Sequence, residues 1–125
     1  MSRQKIESLA PRRAALYIRV STEEQARKGY SLPAQKEDLD EYARKNGYAI
    51  AGYYIDEGKS ARKKYTKRKE FMRMLEDVRA GKIDVILFIK LDRWFRSVAD
   101  YYKIQEIIDA HNVAWKTTQE HYDTE

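Results

Sequence analysis

Four short apolar runs alternate with three longer amphipathic runs, and this order most constrains what the chain can fold into. Ala14 to Val20 (AALYIRV) reads as a strand and is followed by a polar stretch to Tyr30. Ser31 to Asn46 reads as a helix, with Ser31 as N-cap, Pro33 tolerated in the first turn and Gly47 as the stop. Leu32, Leu39, Tyr42 and Ala43 form its apolar stripe. Tyr48 to Ile55 is a second strand ending at Asp56, and a basic loop follows. Arg68 to Ala80 is a second helix, with Phe71, Met74, Leu75 and Val78 on one face and Gly81 as its stop. Val85 to Ile89 (VILFI) is too short for a helix and fits a strand buried on both faces. Val98 to His111 is a third helix, with Tyr101, Tyr102, Ile104, Ile107 and Ile108 inward or nearly so. Val113 to Thr117 is the last strand.

Strands alternating with helices imply an α/β domain: a mostly parallel central sheet of about four to five strands with helices on both faces. Sheets of this kind place ligand sites at the carboxyl ends of their strands. The first strand ends at Arg19 and Ser21, the second at Asp56, and the third at Lys90, Asp92 and Arg93. Polar and reactive residue types therefore collect along one edge of the sheet.

The 125 residues suffice for one domain with one core. The absence of cysteine excludes disulfides, zinc-thiolate sites and cysteine nucleophiles. With only His111 and His121, a histidine metal cluster is not expected. No apolar run reaches membrane-spanning length, and the first residues lack the apolar core of a secretory signal, so a cytoplasmic location is expected. The net charge of +5 is modest, but residues 59–69 hold seven lysines and arginines and no acid. Such density suits a polyanion, with Lys63, Lys64 and Lys67 as candidate DNA contacts. A solvated lysine-rich loop has the same composition.

The chemistry open to the sheet edge is narrowed by what it lacks. No glycine-rich dinucleotide fingerprint and no P-loop follow the first strand. Ser21 has no nucleophile-elbow glycine after it, and no histidine falls near the edge to complete a triad. What remains is a serine among arginines. Guanidinium groups bind phosphate oxygens bidentately and stabilise charge developing on them. Arg19, Arg68, Arg93 and Arg96 around Ser21 therefore suit phosphoryl transfer better than acyl transfer. Asp56 and Asp92 either hold these arginines, assist with protons, or act as plain ion-pair partners at strand ends.

Four motifs then carry a resemblance. Tyr17-Ile18-Arg19-Val20-Ser21-Thr22 with Gln25 resembles the nucleophile motif of the serine recombinases, the resolvase-invertase family. Asp56-Glu57-Gly58-Lys59-Ser60 resembles the second-strand motif of that family. Arg68-Lys69-Glu70-Phe71 resembles its arginine-led helix start, with Lys69 where proline is common. Lys90-Leu91-Asp92-Arg93-Trp94-Phe95-Arg96-Ser97 is close to its third-strand signature. In addition, Gly29 to Gln35 (GYSLPAQ) is similar to a segment of large serine recombinases.

The resemblance implies that Ser21 attacks DNA to form a 5′-phosphoserine link, with no metal or other cofactor. Arg19, Arg68, Arg93 and Arg96 match the phosphate-binding arginines, Gln25 and Gln35 the supporting glutamines, and Asp56 and Asp92 the active-site aspartates. Lys90 and Ser60 are weaker candidates. The implied organisation is a basic extension over residues 1–13 and a catalytic domain over 14–125. A long oligomerisation helix and DNA-binding domains would then lie outside the chain. The partners implied for the whole protein are DNA, further copies of itself as dimer and tetramer, and a directionality factor, with no membrane. Two alternatives share the fold. One is a flavodoxin-like domain binding a nucleotide or phosphorylated metabolite. The other is a non-catalytic DNA-binding or assembly module.

Overall fold

The structure, a computed structural model, describes residues 11–21, 31–58, 68–89 and 98–118. Its elements are β1 (Arg13–Ser21), α1 (Leu32–Lys45), β2 (Ala49–Gly58), α2 (Lys69–Arg79), β3 (Val85–Phe88), α3 (Val98–Ala110) and β4 (Ala114–Thr117). The described strands form one sheet in the order β2-β1-β3-β4, and every pairing is parallel. The alternating order read from the sequence is thus realised, with boundaries shifted by a few residues at most.

The sheet is covered on both faces because β1 is apolar on both. Ala14, Leu16, Ile18 and Val20 point into one cluster with Leu39 and Ala43 of α1. Ala15 and Tyr17 point into the other, with Phe71, Met74, Leu75 and Val78 of α2 and Ile104 and Ile108 of α3. This division follows from the strand order. The chain leaves β1 toward β2 in one direction, then crosses back over β1 to reach β3. With right-handed crossovers, that reversal puts α1 on the opposite face from α2 and α3. All four residues of β3 are buried, as its unbroken apolar run requires.

The helix ends follow their local chemistry. Ser31 is extended and its Oγ accepts from the Ala34 N–H at 3.3 Å, capping α1. Gly47 and Gly81 both adopt φ of +74°, which a side chain at Cβ would strain, and each ends the turn after its helix. Lys69 occupies the first position of α2. Proline is favoured there because the N–H is unbonded in any helix, so lysine fits without loss of a hydrogen bond.

One inward assignment fails. Tyr102 is 68% exposed, whereas Ile104 and Ile108 are fully buried and Tyr101 and Ile107 partly so. At 100° per residue, adjacent Tyr101 and Tyr102 cannot both face the sheet; Tyr102 instead turns outward beside Tyr101, ring centroids 5.4 Å apart. In α1 the stripe is also narrower than the apolar pattern. Leu39 and Ala43 are buried, Leu32 and Tyr42 only partly, and Gln35 takes a buried place instead. Among the described residues, no helix is long and apolar enough to cross a membrane.

These placements set contrasting costs. Leu39→Ala should destabilise the domain by about 2–5 kcal/mol, the range for emptying a buried leucine site. Tyr102→Ala should stay within about 0.5 kcal/mol of the parent, as an exposed substitution does. Denaturant unfolding followed by circular dichroism measures both.

Candidate active site

The reversal of chain direction falls between β1 and β3, and the carboxyl ends of these two strands flank the crevice where such sheets bind ligands. β1 pairs with β3 in register from Ala14 to Leu16, whereas its pairing with β2 continues to Ser21. Among the described residues, the last residues of β1 are paired with β2. There, Arg19 pairs with Asp56 and Ser21 with Gly58. Ser21 is the final residue of β1, at the edge where the sequence places it.

Asp56 is the best-defined polar group at this edge. Its Oδ1 accepts the Glu70 N–H at 3.0 Å, and its Oδ2 accepts the Phe71 N–H at 3.0 Å. The Tyr17 hydroxyl also donates to Oδ2, at 3.0 Å. The cap position of α2 is Arg68, which is extended and makes no side-chain cap bond. Asp56 supplies from a neighbouring strand the cap that Arg68 lacks. It satisfies two of the orphan N–H groups of the helix and sets a negative charge at the positive end of its dipole.

Arg68 and Arg19 are both buried, at 3% and 7% exposure. The Arg68 guanidinium stands 5.8 Å from the centre of the Phe71 ring, the ring that the Tyr17 side chain also meets. Strand alternation puts Arg19 on the same face as Tyr17. Asp56 shares that face with Tyr54, which belongs to the α2-side cluster. Arg19, Asp56 and Arg68 are thus brought together on the α2 face. Gln35, 2% exposed, lies on α1 and so on the other side of the sheet.

A second set of contacts fixes α2 along β2. The Tyr54 hydroxyl donates to Asp77 Oδ2 at 2.5 Å, and the Arg73 guanidinium lies 4.3 Å from the Tyr54 ring centre. Arg73 Nη2 also donates to the Tyr53 carbonyl at 2.9 Å and pairs with Glu70 at 2.7 Å. That pairing holds the Glu70 carboxyl below its usual range. On the opposite side of β2, the Tyr53 hydroxyl donates to Asp40 at 2.6 Å, which with partial burial pushes its phenol up to about 12.

The sequence motifs contain Tyr17 but do not single it out as a site residue. The available signal is a tyrosine on the inward face of a strand, two residues before Arg19. A buried phenol needs a hydrogen-bond partner. Gln25, Lys63, Lys64, Lys67, Asp92, Arg93 and Arg96, together with Lys90 and Ser60, lie outside the described residues.

With this geometry in place, the similarities to known proteins are decisive. The family profile "Resolvase, N terminal domain" matches residues 14–125. The chain belongs to the resolvase family. Its fold resembles the N-terminal catalytic domain of TP901-1 integrase, with a TM-score of 0.78 and 32% identity over 90% of this chain and 82% of that one. It also resembles a resolvase family site-specific recombinase from Streptococcus pneumoniae, with a TM-score of 0.73 and 34% identity over 90% and 75% of the two chains. A "putative DNA recombinase" of Bacillus subtilis strain 168 is 32% identical over 99 residues, which are 79% of this chain but 19% of that protein. The "immunity region protein 3" of Bacillus phage phi105, itself uncharacterized, is 48% identical over 62 residues, half of this chain and 76% of that one. The resolvase catalytic fold is therefore the fold of this chain, and the nucleotide-binding alternative is not favoured.

The resolvase edge carries a pH signature. Burial raises the Tyr17 phenol well above its ordinary value, the nearby Asp56 charge raises it further, and Arg68 offsets part of this. A raised folded-state value means that the neutral phenol stabilises the fold fully below the unfolded value of about 10 and ceases to do so as pH climbs through the folded value. Ultraviolet titrations of the native protein and Tyr17→Phe should therefore superimpose through the ordinary tyrosine range and part only above it. A difference of one phenol within the ordinary range would show Tyr17 to be solvated.

Proposed function

We propose that this chain is the catalytic domain of a site-specific DNA recombinase that cuts and rejoins DNA through Ser21. The observation that carries the reading is the place of Ser21: the last residue of β1, at the switch point, two residues beyond a buried arginine, in a chain of the resolvase family. In the cutting step the Ser21 Oγ attacks the scissile phosphorus and loses its proton. The bond from phosphorus to the 3′ oxygen breaks, and that oxygen leaves as a 3′ hydroxyl after taking up a proton. The product is a 5′-phosphoserine ester. Rejoining is the reverse attack by a 3′ hydroxyl, so the ester conserves the bond energy and no nucleotide is consumed.

The arginines supply charge stabilisation. Arg19, Arg68, Arg93 and Arg96 would neutralise the nonbridging oxygens as the five-coordinate phosphorus forms. Asp92 would act with them as a catalytic aspartate, and Gln25, Gln35 and Asp56 take supporting roles matched from the family motifs. The basic segment with Lys63, Lys64 and Lys67 would track the DNA backbone. The partners of the reading are DNA, further copies of the chain for paired cuts and exchange of ends, and a directionality factor. A DNA substrate accords with a cytoplasmic location. Residues 14–125 by themselves would bind DNA weakly and recombine it little, since four cuts need four placed nucleophiles.

End-labelled cognate DNA incubated with the full chain should yield a covalent protein-DNA adduct at the 5′ end. Ser21→Ala should abolish it while leaving DNA binding intact; an adduct that survives loss of the hydroxyl rules out this nucleophile.

Neutralising Lys63, Lys64 and Lys67 together should weaken binding to all DNA sequences alike. The slope of log K against log salt should shrink by about 0.9 for each lysine that had neutralised a phosphate. An unchanged slope in equilibrium binding would return the segment to a solvated surface loop.

A further inference from the structure

β2 is the longest of the described strands, with ten residues against nine in β1 and four each in β3 and β4. It stands at one end of the strand order, and among the described residues only β1 pairs with it. An edge strand of this length presents a row of backbone N–H and C=O groups to which another extended chain can add. Ile50, 41% exposed, adds an apolar side chain near its start. Such an edge favours pairing between copies unless something interrupts it.

Two features interrupt this one. The register passes from Ala14 beside Ile50 to Ala15 beside Gly52, so Ala51 is an extra residue on β2. A bulge at that point bends the first part of the edge and breaks its row of groups. The second part is covered by a side chain. The Arg73 guanidinium of α2 lies 4.3 Å from the Tyr54 ring centre, and its Nη2 donates to the Tyr53 carbonyl at 2.9 Å. A carbonyl turned toward β1 lies between two strands, out of reach of a helix side chain, so the Tyr53 carbonyl belongs to the outward row. The Glu70 carboxylate holds the guanidinium in place, accepting from Nε at 2.9 Å and from Nη2 at 2.7 Å.

We infer that the Arg73–Glu70 pair closes the free edge of β2 against strand addition by a second copy of this chain. The guanidinium occupies an acceptor that an incoming strand needs for its N–H, and it sets a half-exposed charge where the backbone of that strand would lie. An incoming copy must break a charge-assisted hydrogen bond before it can pair. Arg73 has no part in the phosphoserine reading, and the inference stands apart from it.

The test is sedimentation velocity of the full chain, without DNA, over a range of concentrations. Arg73→Met keeps a long helix-forming side chain and removes the donors and the charge. It should raise the self-association constant about ten- to a hundred-fold above that of the parent, the worth of one hydrogen bond to a charged group. Arg73→Lys keeps a cation at the edge and should behave as the parent does. A folded Arg73→Met chain that associates no more than the parent overturns the inference. Circular dichroism melting shows whether the variant is folded. If it is not, Glu70→Gln decides: it releases the guanidinium without removing it and should raise association by a smaller factor, and an unchanged constant there overturns the inference equally.

Amide hydrogen exchange locates the contact. In Arg73→Met, exchange along β2 should slow as concentration rises, and in the parent it should not change with concentration. Association that leaves β2 exchange unchanged runs through another surface and overturns the assignment of this edge.

Discussion

The Asp56 carboxylate joins strand β2 to strand β1 and to the first turn of α2 through three hydrogen bonds of 3.0 Å each. The arrangement is asymmetric in energy. Forming each bond replaces one with water, so each contributes modestly, of order 1 kcal/mol. Losing the carboxylate would leave two backbone N–H groups and a buried phenol without an acceptor, and each such group carries a desolvation penalty of about 1–3 kcal/mol. The helix start has no substitute, since the Arg68 side chain at the cap position makes no cap bond. The position of α2, and of the arginine that leads it, therefore depends on one charge from a neighbouring strand.

The sheet makes that charge available at the right place. β1 is central, so both of its faces must be covered, and its residues divide between the two clusters by simple alternation. Toward the carboxyl end, the α2 face changes from apolar to polar: Ala15 and Tyr17 are followed by Arg19. On β2 the same face changes from Tyr54 to Asp56. Parallel register then sets Arg19 beside Asp56. The alternation that builds the core thus also aligns the polar groups of the edge, and Ser21 ends the same strand one register step beyond the last buried residues.

Much of this architecture is legible in the amino-acid sequence, and the parts that are not share a cause. Strands and helices are legible because their apolar periods are local: four consecutive apolar residues in β3, and a repeat of three to four in α2. Ser31 and Gly47 are legible because capping is local too. The role of Asp56 is not, because its backbone partners lie 14 and 15 residues away and become neighbours only when β2 and α2 pack. Sequence alone leaves it among arginine partner, proton carrier and ion pair. The Tyr17 hydroxyl is hidden for the same reason, 39 residues from its acceptor. Tyr102 shows the converse. Hydrophobicity places it inward, but the angle of the helix, set by Ile104 and Ile108 against the sheet, turns it out.

The burial of the arginines bears on the proposed chemistry. A guanidinium at 3% exposure has given up most of its hydration, a cost repaid only by good partners. The Phe71 ring lies 5.8 Å from it, and the Asp56 carboxylate holds the first turn of the helix that Arg68 leads. On the proposed reading, a DNA phosphate reaching Arg68 would meet a cation already largely stripped of water. Charge developing on phosphorus oxygens is stabilised more strongly by such a group than by a solvated one, because less solvent has to reorganise. A resting fold that shields its cation also exposes less positive charge to the wrong anion. The packing that secures α2 therefore also keeps the Arg68 cation desolvated, and on the proposed reading that is the state in which it would meet the phosphate.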